Sequence, residues 1–186
     1  MRDAAGADRI PVLVLGLGNV LCGDDGAGVA ALYLLERRYR LADGVVALDG
    51  GTLGLSLLPL VERAARVVIV DAIRDDGPAG TLVRLSGDEV APAVRDRLSP
   101  HQIGVADLLT GAALIGRYPD LVVLIGVVPA TLELGTARTA GVEAALPALA
   151  DAVAAELTAL GFPSTAIDPL LAAEAPRDRA TLALGL

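Results

Sequence analysis

Between Ile10 and Val29 the chain reads IPVLVLGLGNVLCGDDGAGV, and few folds can accommodate that order of residues. Val12, Leu13, Val14 and Leu15 form a short unbroken apolar run, as expected of a strand covered on both faces inside a parallel sheet. Gly16 and Gly18 let the chain leave that strand through conformations other residues avoid. From Gly26 on, Val29, Leu32, Tyr33 and Leu35 follow helical spacing, and Arg37, Arg38 and Arg40 close the last turn, where cations suit the helix dipole. The spacing predicts strand, loop and helix, with Asp24 and Asp25 at the helix entrance. A single Asp there ordinarily caps the helix. Two in a row, after a glycine loop at the carboxyl edge of a strand, point to the edge where open α/β sheets bind ligands.

A dinucleotide site is the competing reading, because Gly16-x-Gly18 follows a strand and Asp49 ends the next one about where a ribose-binding acid would sit. Two features oppose it. The third glycine of that pattern should fall at position 21, which is Leu21. A pyrophosphate would also meet Asp24 and Asp25 at a helix N-terminus, where phosphate needs bare N–H groups.

Alternating elements follow. A second strand, Gly44 to Leu48, ends at Asp49-Gly50-Gly51-Thr52; Leu55 to Val61 suggests a helix with Pro59 near its start; Arg66 to Asp71 is a third buried strand. That alternation predicts a parallel core with right-handed crossovers. Only a short turn, IRDDGPA, precedes the strand Gly80 to Leu85, whereas a parallel return needs roughly a dozen residues. This fourth strand should therefore run antiparallel to the third, making the sheet mixed. Asp88 to Leu98 and Val105 to Ile115 read as helices flanking the loop SPHQIG, Leu121 to Val128 as the fifth strand, and Thr139 to Leu160 as a long helix carrying Pro147. Residues 1–162 are read as a single α/β domain and residues 163–186 as a C-terminal tail ending in the apolar patch Leu182 to Leu186.

Composition narrows the function. All 15 basic residues are arginine, which excludes a Walker lysine or a Schiff-base lysine. A net charge of -8 and an aromatic content of 2% argue against a nucleic-acid surface and favour a basic or cationic partner. The one cysteine fits a reducing cytoplasm, and the longest uncharged apolar runs fall short of a bilayer span, so no membrane partner is expected. Met1 to Cys22 faintly imitates a signal peptide, but Asn19 interrupts it and the same run serves as a core strand.

His101, in the loop after Ser99-Pro100, is the only histidine. Asp71 ends a buried strand, where a carboxylate needs a partner; a backbone N–H could supply it. Asp25, Asp71 and His101 would converge on one crevice, and two carboxylates with one imidazole suit a borderline divalent metal such as Ni, Zn or Co. Cys22 is the rival nucleophile, since a thiolate near a helix N-terminus is activated and His101 could be its base.

These residues resemble the hydrogenase maturation endopeptidases, which trim the C-terminal extension from the large subunit of [NiFe] hydrogenases. The likeness lies in GLGNVLCGDDGAGV (16 to 29), LDGGTLGLSLL (48 to 58), VIVDAI (68 to 73), SPHQIGVADLL (99 to 109) and LIGVVPATLE (124 to 133), and spans Pro11 to Leu160. It implies a three-layer αβα sandwich with a mixed, mostly parallel five-stranded sheet, of phosphorylase/hydrolase-like type. It also puts Asp25, Asp71 and His101 at the family's metal-contacting, catalytic positions, the first of which is Asp or Glu, and asks for no cysteine at position 22. The implied partner is the large-subunit precursor, the metal is nickel presented by that substrate, and no organic cofactor is involved. Gly50, Gly51 and Thr52 lead from a strand into a helix start and should place bare backbone near the substrate strand. A non-cleaving metallochaperone or assembly factor for the nickel-loaded subunit is the alternative.

Overall fold

The computed structural model describes residues 9–97 and 103–168. Its core is a five-stranded sheet made of β1 (Ile10–Leu17), β3 (Val45–Gly51), β4 (Ala64–Ala72), β5 (Leu82–Ser86) and β6 (Leu121–Val127), in the order β3-β1-β4-β6-β5. A separate two-residue strand, β2 (Tyr39–Arg40), follows the first helix. β1 pairs in parallel with β3 and β4, β4 in parallel with β6, and β5 antiparallel with β6. The fourth sheet strand thus runs opposite to the third, as the short turn before it requires, and closes the sheet as an edge next to the last one.

Helices α1 (Ala27–Arg38), α2 (Leu58–Val61), α3 (Val90–Arg97), α4 (Ile103–Leu114) and α5 (Ala140–Ala159) cover both faces. Successive strand residues point to opposite faces, so each apolar strand feeds two cores at once. Val12, Val14, Val68, Val70, Val123 and Ile125 meet α1 and α5. Leu13, Leu15, Val67, Ile69 and Leu124 pack with Leu57, Leu60, Val90, Leu108 and Leu109 from the other side. The result is the expected αβα arrangement of three layers.

Several local expectations shift. Tyr33 is exposed instead of facing the core; its hydroxyl donates to Asp49 at 2.5 Å, because the helix turns this position toward the edge strand β3. Arg40 lies past the helix end, in β2. The helix around Pro59 is only one turn, preceded by a tight turn at Gly54–Leu57. Past Phe162 the chain returns to pair β7 (Thr165–Ala166) antiparallel with β2.

The close approach of α1 to the sheet rests on two glycines. A β-carbon at Gly28 would overlap the carbonyl oxygens of Val70 and Leu17, and one at Gly16 would lie 2.8 Å from Leu32 Cβ and 2.9 Å from the Gly28 oxygen. The helix start is therefore seated directly over β1 and β4. The contact that a dinucleotide fingerprint would make at position 21 is made here at position 28.

The loop carrying His101 and the segment from 169 on, with the patch Leu182 to Leu186, lie outside the described residues. Among the described residues no helix is long and apolar enough to cross a membrane.

Candidate active site

β4 is the central strand, and Asp71 is its penultimate residue, at the carboxyl edge beside Gly126 of β6. Its side chain is fully buried, and its Oδ1 accepts the N–H of Ala72 at 2.7 Å. The neighbouring strand β1 stops at Leu17, and Gly18 turns away with φ +118, a value that strains any residue bearing a β-carbon. A β-carbon there would overlap the Asp25 carbonyl oxygen and lie 3.5 Å from Asp71 Oδ1. Gly18 is thus the point at which the two acidic segments come together.

Asp25 arrives from a 3-10 turn, Gly23–Gly26, set between β1 and α1. Asp25 is 1% exposed, lines a crevice with Gly18, Gly51 and Thr52, and accepts the Asn19 N–H on Oδ2 at 2.8 Å. Neither aspartate caps a helix through its side chain.

Asp24, one residue earlier, faces the other way. It is also fully buried, and the 128–139 segment surrounds it with donors: the N–H groups of Ala130 (2.8 Å), Thr131 (3.3 Å) and Thr139 (2.7 Å), and the Thr139 hydroxyl (2.9 Å). Burial pushes its carboxyl up, but the hydrogen bonds from Thr139, Ala130 and Thr131 outweigh this and hold it below the ordinary carboxylate value. Asp24 is thus a buried anchor and not a helix cap. Sequence inspection passed over it; the available signal was Thr139 at the start of α5, paired with a doubled aspartate.

The other expected site residues divide. Gly51, at φ +41, and Thr52 line the crevice, whereas Gly50 is packed under it, where a β-carbon would meet Leu17 Cδ2 at 2.7 Å and Leu57 Cδ1 at 3.0 Å. Gly104 and Val105, at the start of α4, line the same crevice. His101 precedes them in the chain but lies outside the described residues. Among the described residues no three His, Cys, Asp or Glu side chains are grouped to hold a metal. Cys22 is 4% exposed and immediately precedes the turn, its backbone bridged to Gly135. Val20 and Leu21, between Asn19 and Cys22, and Leu53 and Leu55, just beyond Thr52 in the chain, are all at least half exposed.

Residues 29–156 match the family model described as hydrogenase maturation protease. The chain belongs to the hydrogenase maturation protease family. Among its relatives, the hydrogenase 2 maturation protease of Escherichia coli K12 is 41% identical over 147 residues, covering 77% of this chain and 89% of that protein. The hydrogenase expression/formation protein HupD of Rhizobium leguminosarum bv. viciae is 38% identical over 157 residues, covering 83% and 78%. The solved hydrogenase maturating endopeptidase HybD from E. coli superposes with a TM-score of 0.79 at 37% identity, covering 84% of this chain and 97% of that one. The HybD maturation protease of Thermococcus kodakarensis gives a TM-score of 0.63 at 31% identity, covering 79% and 98%. The mixed, mostly parallel sheet of this chain lies within the fold it shares with that HybD endopeptidase.

Proposed function

We propose that this protease removes the C-terminal extension of a [NiFe] hydrogenase large-subunit precursor after nickel insertion, and that Asp25, Asp71 and His101 recognise the nickel carried by that precursor. The observation that supports this reading is that Gly18 lies against both the Asp25 backbone carbonyl and the Asp71 carboxylate, at the carboxyl edge of adjacent parallel strands. Carboxylates from those two segments would supply hard oxygen donors, and an imidazole would add the borderline nitrogen ligand that nickel accepts. Nickel is part of the substrate in this scheme. The carboxylates occupy its open positions and so bring the adjoining peptide to the crevice.

The crevice suits a polypeptide. Gly51 and Thr52 bring little side chain to its lining, and the exposed Val20, Leu21, Leu53 and Leu55, close to lining residues in sequence, would offer apolar contact to an incoming chain. The single cysteine fits work in the reducing cytoplasm, where such a precursor would be met before assembly.

The experiment is to incubate the protein with a nickel-loaded large-subunit precursor and weigh the products. A shortened precursor plus a released C-terminal peptide is expected. Tight binding with no loss of mass would favour a non-cleaving assembly factor instead.

A further inference from the structure

The 3-10 turn that presents Asp25 is held from two sides. On the sheet side, Gly18 lies against the Asp25 backbone and Asn19 donates to the Asp25 carboxylate. On the far side the restraint comes from residues 128–139, which join β6 to α5. Two backbone contacts join the segments, Gly23 N–H to Gly135 O at 2.5 Å and Gly135 N–H to Leu21 O at 2.8 Å. The remaining hold is the Asp24 carboxylate, with three backbone N–H groups and one hydroxyl directed at it.

Thr139 makes the purpose of this arrangement legible. It occupies the N-cap of α5, where a threonine side chain ordinarily accepts an N–H of the first turn, yet it makes no capping bond and donates its hydroxyl to Asp24. The carboxylate also sits at the positive end of α5, a 20-residue helix, which favours its charge. A buried carboxylate with four donors is rigid in a way that a solvated one is not. Because Asp24 and Asp25 are adjacent, fixing the first fixes the direction of the second.

We propose that Asp24 is a positioning residue for the cleavage reaction: by clamping the Gly23–Gly26 turn to residues 130, 131 and 139, it aims Asp25 at the nickel of the precursor without touching the substrate itself. This rests on the reading that Asp25 contacts that nickel. Asp24→Asn keeps the side-chain shape but sets an NH2 group against backbone N–H donors, which opens the clamp. Thr139→Val removes one donor, and Thr139→Ser retains it.

The test measures the affinity of the full chain for nickel-loaded and nickel-free precursor, and the single-turnover cleavage rate, below the melting transition of each variant. Asp24→Asn should reduce the ratio of the two affinities at least tenfold and slow cleavage as much, with affinity for nickel-free precursor unchanged. Thr139→Val should move both in the same direction by a smaller factor, and Thr139→Ser should restore them. A purely structural role would lower the melting temperature and leave the ratio intact, so a folded Asp24→Asn protein with the wild-type ratio and rate overturns the proposal. Where Asp24→Asn does not fold, the contrast between Thr139→Val and Thr139→Ser decides, and equal ratios in those two overturn it. Asp25→Asn serves as the reference: if it also keeps the ratio, the nickel reading falls and the clamp loses its target.

Discussion

Asp25 and Asp71 lie on segments that meet at Gly18, whereas Asp24 turns away toward Thr139, and substitution of the first two should show what they do. Asp25→Asn and Asp71→Asn each retain an oxygen able to accept the Asn19 or Ala72 N–H, so both variants should fold, with melting temperatures near wild type. Cleavage should nevertheless fall at least about a hundredfold, because losing even an outer-shell partner of a metal ligand costs about 10- to 100-fold. His101→Ala should do the same. Cys22→Ala should cleave normally and lose only about 1 kcal/mol, the transfer value of one small buried side chain. A dead cysteine variant beside active aspartate variants would instead make the protein a thiol protease. Gly51 requires a different design from Thr52. Its φ of +41 penalises any side chain, so Gly51→Val would confuse folding with recognition. Thr52 is exposed and lines the crevice, and Thr52→Phe should weaken precursor binding about tenfold or more while stability changes by no more than about 0.5 kcal/mol. Equal precursor affinity in that variant would remove Thr52 from the recognition surface.

At the scale of elements, the strands were legible because four of them are continuous apolar runs that only a doubly covered sheet accommodates, and the reversed fourth strand followed from the length of its turn. What escaped was carried by distance, which periodicity does not encode. Tyr33 keeps helical spacing with the core residues but lies at the margin of the apolar stripe, where Asp49 of β3 captures it. Gly28 reads as an ordinary helix glycine until the sheet is placed under it. Asp25 and Asp71 could be inferred to share an edge, yet that Asp24 turns to the opposite side depends on where residues 128–139 run, and no local pattern states that. The seating of α1 gives a sharp prediction. Gly28→Ala puts a methyl group into the backbone oxygens of Val70 and Leu17, so the helix must lift from β1 and β4. The cost should be about 3 kcal/mol, at the upper end of overpacking, since backbone cannot move aside as a side chain can. Because the turn bearing Asp25 opens directly into this helix, cleavage by the folded fraction should fall as well. A denaturant midpoint unchanged from wild type would show that the contact is looser than these distances imply.

For the whole molecule the deciding question is how metal reaches the edge of the sheet. Structural metal sites usually fill four positions with Cys or His, and this chain has one of each in total. Its single cysteine is enclosed beside the turn, and Asp25 and Asp71 each accept a backbone N–H on one oxygen. Such a set makes a poor resident site, because two or three ligands leave several coordination positions of a free ion unfilled. An ion already held by the precursor enters with most of its coordination complete and its binding entropy already spent, and so needs only the few donors available here. Recognition is thereby linked to readiness: a precursor without nickel gains nothing from Asp25, Asp71 or His101 and should dock only through apolar contacts. The expected outcome is that protein purified free of metal, verified by elemental analysis, binds free nickel no tighter than roughly the millimolar range, yet cleaves nickel-loaded precursor without added metal. Nickel-free precursor should remain uncut at equal concentration. One firmly held metal per purified chain that activity requires, or efficient cutting of the nickel-free precursor, would sink this account and make the metal a resident catalyst or an irrelevance.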